Sequence, residues 1–148
     1  MISGRIIKVY DDLERINEFL AANSIKDNSL NENEIIYILE ENDKIIGACK
    51  IETHNSYGIL RYIVVSKNFR GQKFGDGLLR AAFNYCLRNG IQEIYFDKHD
   101  TFLTSIGFTL ASAYSISKRK EDEISSDEIL QCNLEEFFSR TCKCKGRD

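Results

Sequence analysis

The chain has no proline among its 148 residues. Proline fixes its own backbone and disfavours helix in the residue before it, so it often marks where helices and strands end. Without proline, the predicted ends of helices and strands depend on glycine, asparagine and aspartate, which mark them less sharply.

The sequence also lacks an excess of positive charge and any long apolar run. Lysine and arginine number 20 against 23 aspartates and glutamates, a formal net charge of −3. Phosphate-backbone binding usually needs a clustered basic excess, so nucleic acid is not expected as a partner. No run approaches the roughly 20 apolar residues of a membrane span, and residues 1–12 become acidic too early for a signal peptide. We therefore expect a cytoplasmic protein with no membrane partner.

Cysteine occurs five times, an odd number without the spacing of a disulfide framework. This usage is typical of reduced thiols in a cytosolic protein. Cys142 and Cys144 form a close pair, but no second close pair and no nearby histidine complete four ligands. A frayed basic tail is favoured there, and no metal is predicted.

The composition and the length of the chain are typical of one globular domain. The chain is 43% hydrophobic and 29% charged, which is ordinary for a folded protein, and 148 residues suffice to close a hydrophobic core. We expect a single domain over residues 1–148 with a polar C-terminal tail from about residue 140.

Strand-favouring runs and helical patterns alternate along the chain. A first strand is predicted over residues 5–10, followed by a helix that begins after Asp11 and Asp12 and fades at residues 23–24. The runs EIIYILEE, KIIGACKIET and YGILRYIVVS are separated by tight-turn residues. Such short connections predict an antiparallel meander of three strands.

The second half of the chain begins with a helix. Its predicted apolar face comprises Leu78, Leu79, Ala82, Phe83, Cys86 and Leu87. It ends at Asn89-Gly90, and the strand IQEIYF, a short helix over 101–106 and the strand FTLASAYSIS follow. Residues 118–127 are expected to form a charged loop. For residues 128–138 a strand followed by a helix is favoured over one helix.

The segment VVSKNFRGQKFGDGLL, residues 64–79, runs from a strand through spaced glycines into that helix. Backbone amides at a helix start, flexible glycines and the charges of Arg70 and Lys73 suit a pyrophosphate. A P-loop is excluded because Asp76 follows Gly75 where lysine is required, and the glycine spacing does not fit a Rossmann turn. A plain strand-to-helix turn with glycines for packing remains an alternative.

The order of elements separates these alternatives. The predicted elements follow one another in this order: a strand, a helix, a three-strand meander, the glycine turn, a long helix, a strand, a short helix and a last strand after "GF". With VVSKNFRGQKFGDGLL and FLTSIGF, residues 102–108, this order resembles the GNAT superfamily of N-acyltransferases. The resemblance extends over roughly residues 5–133. It implies an α/β (α+β) fold with a mixed, mostly antiparallel central sheet of six to seven strands flanked by helices.

The resemblance also implies a site for acetyl-CoA as acyl donor. The backbone of strand residues would pair with the pantetheine arm, and the turn would hold the pyrophosphate. The residues implied are Val64, Val65, Arg70, Gly71, Gln72, Lys73, Phe74, Gly75, Asp76 and Gly77, with residues 72–77 supplying most of the amide donors. Lys73 stands where the family usually has glycine, which is acceptable if its φ is negative. Its ammonium either reaches a phosphate or is a solvated surface charge.

The catalytic residues are less defined. In many family members the tyrosine of F-Y-x-x-x-G-F protonates the leaving thiolate, but here that position is Leu103. A general base is expected near the fourth and fifth strands, and Asp97 and His99 are the candidates. Glu52 and His54 are further candidates for the base, although each could simply be a solvated loop residue. Tyr62 and Tyr95 could donate a proton, although strand tyrosines more often serve in packing.

Three functional hypotheses follow. The first is an acetyl-CoA-dependent N-acetyltransferase acting on a primary amine, a small molecule or amino-acid-like compound bound near residues 23–34 and 118–127. The second, motivated by Leu103, is a non-catalytic acyl-CoA-binding or regulatory domain. The third is a thiol or metal module built on Cys132, Cys142 and Cys144. A homodimer through the final strand or the LEEFF helix is left open.

Overall fold

The computed structural model describes residues 2–7, 10–27, 30–98, 100–111 and 129–139, with the backbone alone for residues 10 and 11. The regular elements are β1 (Ile2–Ile6), α1 (Tyr10–Ala22), β2 (Glu34–Glu41), β3 (Lys44–Thr53), β4 (Tyr57–Val65), α2 (Phe74–Arg88), β5 (Glu93–Phe96), α3 (Thr101–Ser105), β6 (Thr109–Leu110) and β7 (Leu130–Asn133). A single 3₁₀ turn spans Lys67–Phe69, and residues 134–139 are helical.

The seven strands form one sheet in the order β1-β2-β3-β4-β5-β7-β6. Strand β4 runs parallel to β5, whereas the pairs β1–β2, β2–β3, β5–β7 and β6–β7 are antiparallel. Asn42 and Asp43 adopt positive φ and connect β2 to β3 in a tight turn. The predicted mixed, mostly antiparallel sheet is confirmed, as are the meander of β2, β3 and β4 and the strand-then-helix order after residue 129.

The first predicted boundaries were wrong. Strand β1 ends at Ile6 instead of Tyr10, and α1 starts at Tyr10 instead of after Asp12. The physical reason is visible in the side chain of Asp12, which accepts two hydrogen bonds of 2.7 Å from the Arg5 guanidinium. Its carboxylate holds α1 to β1, so it does not cap the helix.

Several predictions fall outside the described residues. Strand β6 covers only Thr109–Leu110 of the run predicted as a strand, and residues 112–128 and 140–148 are not described. The charged loop, the C-terminal tail and Cys142 and Cys144 therefore stay predictions. The single domain over residues 1–148 also stays a prediction.

The described residues group into two compact units. The first comprises those of Met1–Thr53 and Leu60–Tyr85. Its core joins Ile16 and Leu20 of α1 with side chains on one face of β2, β3 and β4, namely Ile36, Ile38, Ile45, Ala48, Tyr62 and Val64. At its edge Arg5 and Arg15 share the carboxylates of Asp12 and Glu40.

The second unit comprises His54–Ile59 and the described residues from Cys86 onward. Its core contains Tyr57, Ile59, Tyr95 and Ile129, with Ala111 packed against them. The parallel ladder joins Tyr57–Ile59 of β4 to Glu93–Tyr95 of β5. Across both described units, no helix has the length and apolarity needed to cross a membrane.

Candidate functional site

The path from β4 to α2 begins with two hydrogen bonds that fix the end of the strand. The Ser66 amide donates to the Ile46 carbonyl of β3 at 2.7 Å. After the 3₁₀ turn, the Arg70 side chain reaches back and its Nε donates to the Val65 carbonyl at 2.9 Å. The turn of residues 70–77 therefore starts from an anchored strand end.

Two residues of this turn adopt left-handed backbone conformations. Gly71 has a φ of 80° and Lys73 a φ of 64°. Lys73 would replace the family's glycine without strain only if its φ were negative, and this condition is not met. A side chain in this region costs roughly 1–2 kcal/mol, so Lys73 is held in a conformation that glycine would adopt more readily.

Helix α2 starts directly after Lys73. The Gly77 amide donates to the Lys73 carbonyl at 3.1 Å, which makes Lys73 the N-cap residue. Amides of a first helical turn have no intrahelical acceptor, so those of Gly75 and Asp76 point out of this helix end. The amide of Gly77 is used inside the helix, contrary to its expected role as a donor.

Gly77 contributes space instead. A Cβ atom built on Gly71 or on Gly77 meets no heavy atom within 4 Å. Asp76 brings a negative charge to this helix end, and Arg80 Nε donates to its carboxylate at 2.9 Å. The turn thus offers amides without an intrahelical acceptor, open space and a locally balanced charge, an arrangement that suits an anion such as a pyrophosphate.

Val64 and Val65 lie beyond the β4–β5 ladder along β4. The Val64 side chain is buried in the core, and Val65 is half-buried. What these two residues present to a ligand is backbone. The structure thus places all ten residues implied in acetyl-CoA binding on one continuous strand, turn and helix start within the first unit.

Leu103, which stands where many family members have a tyrosine, lies in the second unit. Asp100 caps α3 by accepting a hydrogen bond of 2.9 Å from the Leu103 amide. The Leu103 side chain is fully buried and supplies no proton. Asp97 is half-buried immediately after β5, and His99 lies outside the described residues.

The remaining candidates have partners. The Glu52 carboxylate accepts hydrogen bonds of 3.1 Å and 2.6 Å from Arg61. The His54 ring stacks on Tyr57 with 4.7 Å between centroids. Tyr95 is buried and contacts Tyr57 edge to face. Of the polar groups considered from the sequence, Tyr62 is the one whose buried hydroxyl has no hydrogen-bond partner among the described residues.

Sequence reasoning missed a buried charged group on the same face of the sheet as that tyrosine. Lys50 Nζ contacts a carboxylate oxygen of Asp27 at 2.7 Å and one of Glu34 at 3.1 Å, and the Lys50 side chain is 1% exposed. We refer to Asp27, Glu34, Lys50 and Tyr62 as the Lys50 cluster. The signal was a lysine within the otherwise apolar run IIGACKI, since lysine is rarely buried without a partner.

The cysteines of the described chain do not form a metal site. Cys49, Cys86 and Cys132 are buried thiols that form no disulfide. Within the described ranges, no group of three or more histidine, cysteine, aspartate or glutamate residues is placed to hold a metal ion. Burial raises the pKa of the Cys86 thiol to about 12, so it is not a reactive thiolate at neutral pH.

Comparison with known proteins identifies the family. The sequence profile of the Acetyltransferase (GNAT) family matches residues 7–111, more than half of the chain. The chain belongs to the GNAT acetyltransferase family. Membership supports acyl-CoA-dependent acetyl transfer as the general activity. No functionally curated protein matches the chain by sequence.

Solved structures share the GNAT fold. GCN5 from Tetrahymena superposes with a TM-score of 0.75 at 14% identity, covering 89% of this chain and 96% of its own. A GNAT acetyltransferase from Staphylococcus aureus gives 0.68 at 19% identity, covering 89% and 99%. N-acetylglutamate synthase from Neisseria gonorrhoeae, complexed with coenzyme A and L-arginine, gives 0.71 at 20% identity, covering 90% of this chain and 33% of its own. At these identities the similarity concerns the fold.

Proposed function

We propose that this GNAT protein is an acetyl-CoA-dependent N-acetyltransferase whose acceptor is the primary amine of a small molecule or amino-acid-like compound. The observation that carries the proposal is the turn of residues 70–77. Its two left-handed residues lead into the exposed amides of α2, and space is open beside Gly71 and Gly77. The carbonyl of Val65 has a second lone pair beside the one that Arg70 uses, so it can still accept from a pantetheine amide.

In this proposal the turn holds the pyrophosphate of acetyl-CoA. The amides of Gly75 and Asp76, the α2 dipole and the charges of Arg70 and Lys73 stabilise it. The pantetheine arm runs back from the turn along β4 and pairs with the backbone at Val65 and then at Val64. The thioester therefore points toward the residues that precede Val64.

Transfer of the acetyl group requires a neutral amine and a leaving thiolate. Asp97 and His99, which follow β5, remain the candidate bases for the amine proton. Leu103 offers no proton to the sulfur, and we propose that the thiolate departs without a tyrosine there. A thiol has a pKa of about 8.5, so its anion is an acceptable leaving group at neutral pH.

A non-catalytic acyl-CoA-binding or regulatory domain is the second candidate, and the buried Leu103 favours it. Calorimetric titration of acetyl-CoA followed by a thiol-release assay over a panel of amines distinguishes the two. Turnover on any amine supports the enzyme, and binding without turnover supports the regulatory domain. Absence of binding at millimolar acetyl-CoA contradicts both.

The assignment of the turn has a sharper test in Gly77→Ala. Alanine is the better helix former by up to about 1 kcal/mol, so the melting temperature should rise or stay constant. Because the new methyl group enters the space proposed for the pyrophosphate, affinity for acetyl-CoA should fall at least tenfold. Asn84→Ala is the matched control, an exposed position of the same helix that should gain stability and keep its affinity. A G77A variant that binds as tightly as the wild type rules out this placement.

We further propose a cytoplasmic location and no membrane or nucleic-acid partner. The reduced state of Cys49, Cys86 and Cys132 supports the reducing compartment, and the net charge of −3 supports the absence of nucleic acid. A homodimer is left to measurement by light scattering.

A further inference from the structure

The turn of residues 70–77 holds a backbone shape that its own residues do not all favour. Gly71 and Lys73 have φ values of 80° and 64°, and the side chain of Lys73 disfavours this region. Strained backbone of this kind persists only where the surrounding structure fixes it. A Cβ atom built on Gly71 meets no heavy atom of the described residues within 4 Å. The contacts that fix the shape therefore lie at the two ends of the segment.

Arg70 connects the start of the turn to the end of β4. Its Nε donates a hydrogen bond of 2.9 Å to the Val65 carbonyl, so the side chain reaches back across the intervening 3₁₀ turn. Hydrogen bonds from charged donors are stronger than neutral ones. The strand end is itself held to the sheet, because the Ser66 amide donates to the Ile46 carbonyl of β3 at 2.7 Å. Arg70 thereby anchors the turn to the sheet.

Two aromatic rings close the same segment. Phe69 ends the 3₁₀ turn and Phe74 begins α2, and their ring centroids are 6.0 Å apart at an interplanar angle of 57°. Both residues are half-buried, and this separation lies in the range of favourable aromatic pairs. The four residues between them, 70–73, are exposed and include both left-handed residues. We refer to Phe69, Arg70 and Phe74 as the turn clasp.

The hydrogen bond of Arg70 restrains the turn more than it stabilises the whole fold. Arg70 is exposed, and its acceptor is only five residues away in the sequence. Such a contact contributes little to the free energy of unfolding, since water replaces it in the unfolded chain. It does restrict the conformations open to residues 71–73 in the folded protein. A loop that already has its bound conformation loses less freedom when a ligand binds, and its affinity is higher for that reason.

We propose that Arg70 is a positioning residue for the acyl donor. Through the Val65 carbonyl, and together with the ring pair of Phe69 and Phe74, it keeps the turn in the conformation that receives the pyrophosphate before acetyl-CoA binds. This role belongs to the Nε donor and is separate from the attraction between the guanidinium charge and the phosphates. The inference rests on the proposed function.

Arg70→Gln and Arg70→Met separate the donor from the charge. Glutamine carries an N–H donor at the same distance along the side chain as the arginine Nε, whereas methionine has similar length and no donor. Both variants lack the charge, so the difference between them reports the hydrogen bond alone. In calorimetric titrations R70M should bind acetyl-CoA about fivefold more weakly than R70Q, the size expected for one hydrogen bond, at low and at high salt. The difference between R70Q and the wild type should shrink as salt screens the charge.

The unliganded chain gives a second measurement. Amide NMR relaxation of residues 71–73 should report rigid backbone in the wild type and in R70Q, and greater motion on the picosecond-to-nanosecond timescale in R70M. The two variants should melt at the same temperature, because the hydrogen bond is exposed. A purely structural role would instead lower the melting temperature of R70M without separating the two affinities.

Phe69→Leu tests the ring pair. Leucine keeps an apolar side chain but removes the aromatic contact, so F69L should weaken acetyl-CoA about threefold, independently of salt. Phe138→Leu is the matched control, since Phe138 is a half-buried member of another ring pair, 5.0 Å from Phe137 in the second unit. F138L should keep its affinity. An F69L variant that binds as tightly as F138L would overturn the role of the rings.

The inference and the proposed function fail in different ways. If the wild type binds acetyl-CoA and R70M binds it as tightly as R70Q, Arg70 acts through its charge alone, and the inference is wrong while the acetyl-CoA site stands. If the wild type does not bind acetyl-CoA, the proposed function is wrong and the inference is overturned with it.

Discussion

The turn of residues 70–77 presents backbone groups near the surface, whereas the Lys50 cluster presents side chains inside the protein. In the turn, residues 70–73 and Gly77 are exposed, and the atoms offered to a ligand are amides. In the cluster, the side chains of Lys50 and Glu34 are 1% and 5% exposed. The polar atoms of the cluster belong to side chains. The two regions belong to the same compact unit and share strand β4.

This difference determines what a substitution does. If the proposed function is right, a change at Gly71 or Gly77 alters ligand binding with little effect on folding, because no heavy atom lies within 4 Å of a Cβ built at either position. A change in the cluster alters folding first, because charges taken out of water depend on their partners. Experiments that separate stability from affinity therefore test whether the two regions differ as described.

The largest expected effect is that of Lys50→Met. Methionine keeps the length of the side chain but removes the ammonium, which leaves Glu34 charged and buried. Breaking a buried ion pair in this way costs about 3–5 kcal/mol, and chemical denaturation at pH 7 should show a loss of this size. Asp27 is partly exposed and can be solvated, so it should contribute the smaller share.

The double variant K50M/E34Q is the control for this loss. Glutamine removes the uncompensated charge, so the double variant should recover much of the stability lost by K50M. If E34Q fails to recover stability, the loss comes from packing rather than from charge. A loss below about 1 kcal/mol for K50M would mean that the pair behaves as a surface salt bridge.

The next effect concerns the strained residue of the turn. Lys73→Gly should stabilise the protein by about 1 kcal/mol relative to Lys73→Ala, because both lack the charge but only glycine accepts the φ of 64° without strain. Thermal and chemical denaturation of the two variants measure this difference. Their shared change in acetyl-CoA affinity, and its dependence on salt, reports the contribution of the ammonium. Equal stability would show that the left-handed conformation carries no strain.

The same contrast between the turn and the Lys50 cluster explains how much of the structure could be predicted from the sequence. The turn was predictable as a strand-to-helix connection because its glycines and the helix start are consecutive residues, which a motif records, and its binding of pyrophosphate stays a proposal. The strands β2, β3 and β4 were predictable from their β-branched runs and tight turns. That leucine stands where many family members have tyrosine was read directly from the sequence, whereas the full burial of Leu103 was not predicted.

The Lys50 cluster was not predictable because its members come from distant points of the chain. Glu34 and Lys50 meet through the pairing of β2 with β3, and Asp27 comes from the segment after α1, so no local spacing in the sequence records the cluster. The sign of the Lys73 φ was left open by the sequence, because the backbone conformation of a turn residue depends on the elements at both of its ends.

The smallest expected effect is that of Asp76→Asn, which sharpens the contrast within the turn itself. Asp76 lies in the first turn of α2, where a negative charge favours the helix by about 0.3–1 kcal/mol, and Arg80 holds its carboxylate. The same charge opposes a bound pyrophosphate, so D76N should lose a few tenths of a kcal/mol of stability and bind acetyl-CoA about threefold more tightly at low salt. Calorimetry at two salt concentrations measures both the gain and its screening. A weaker affinity in D76N would mean that the carboxylate positions the ligand, and the turn would then recognise it through a side chain as well as through its backbone.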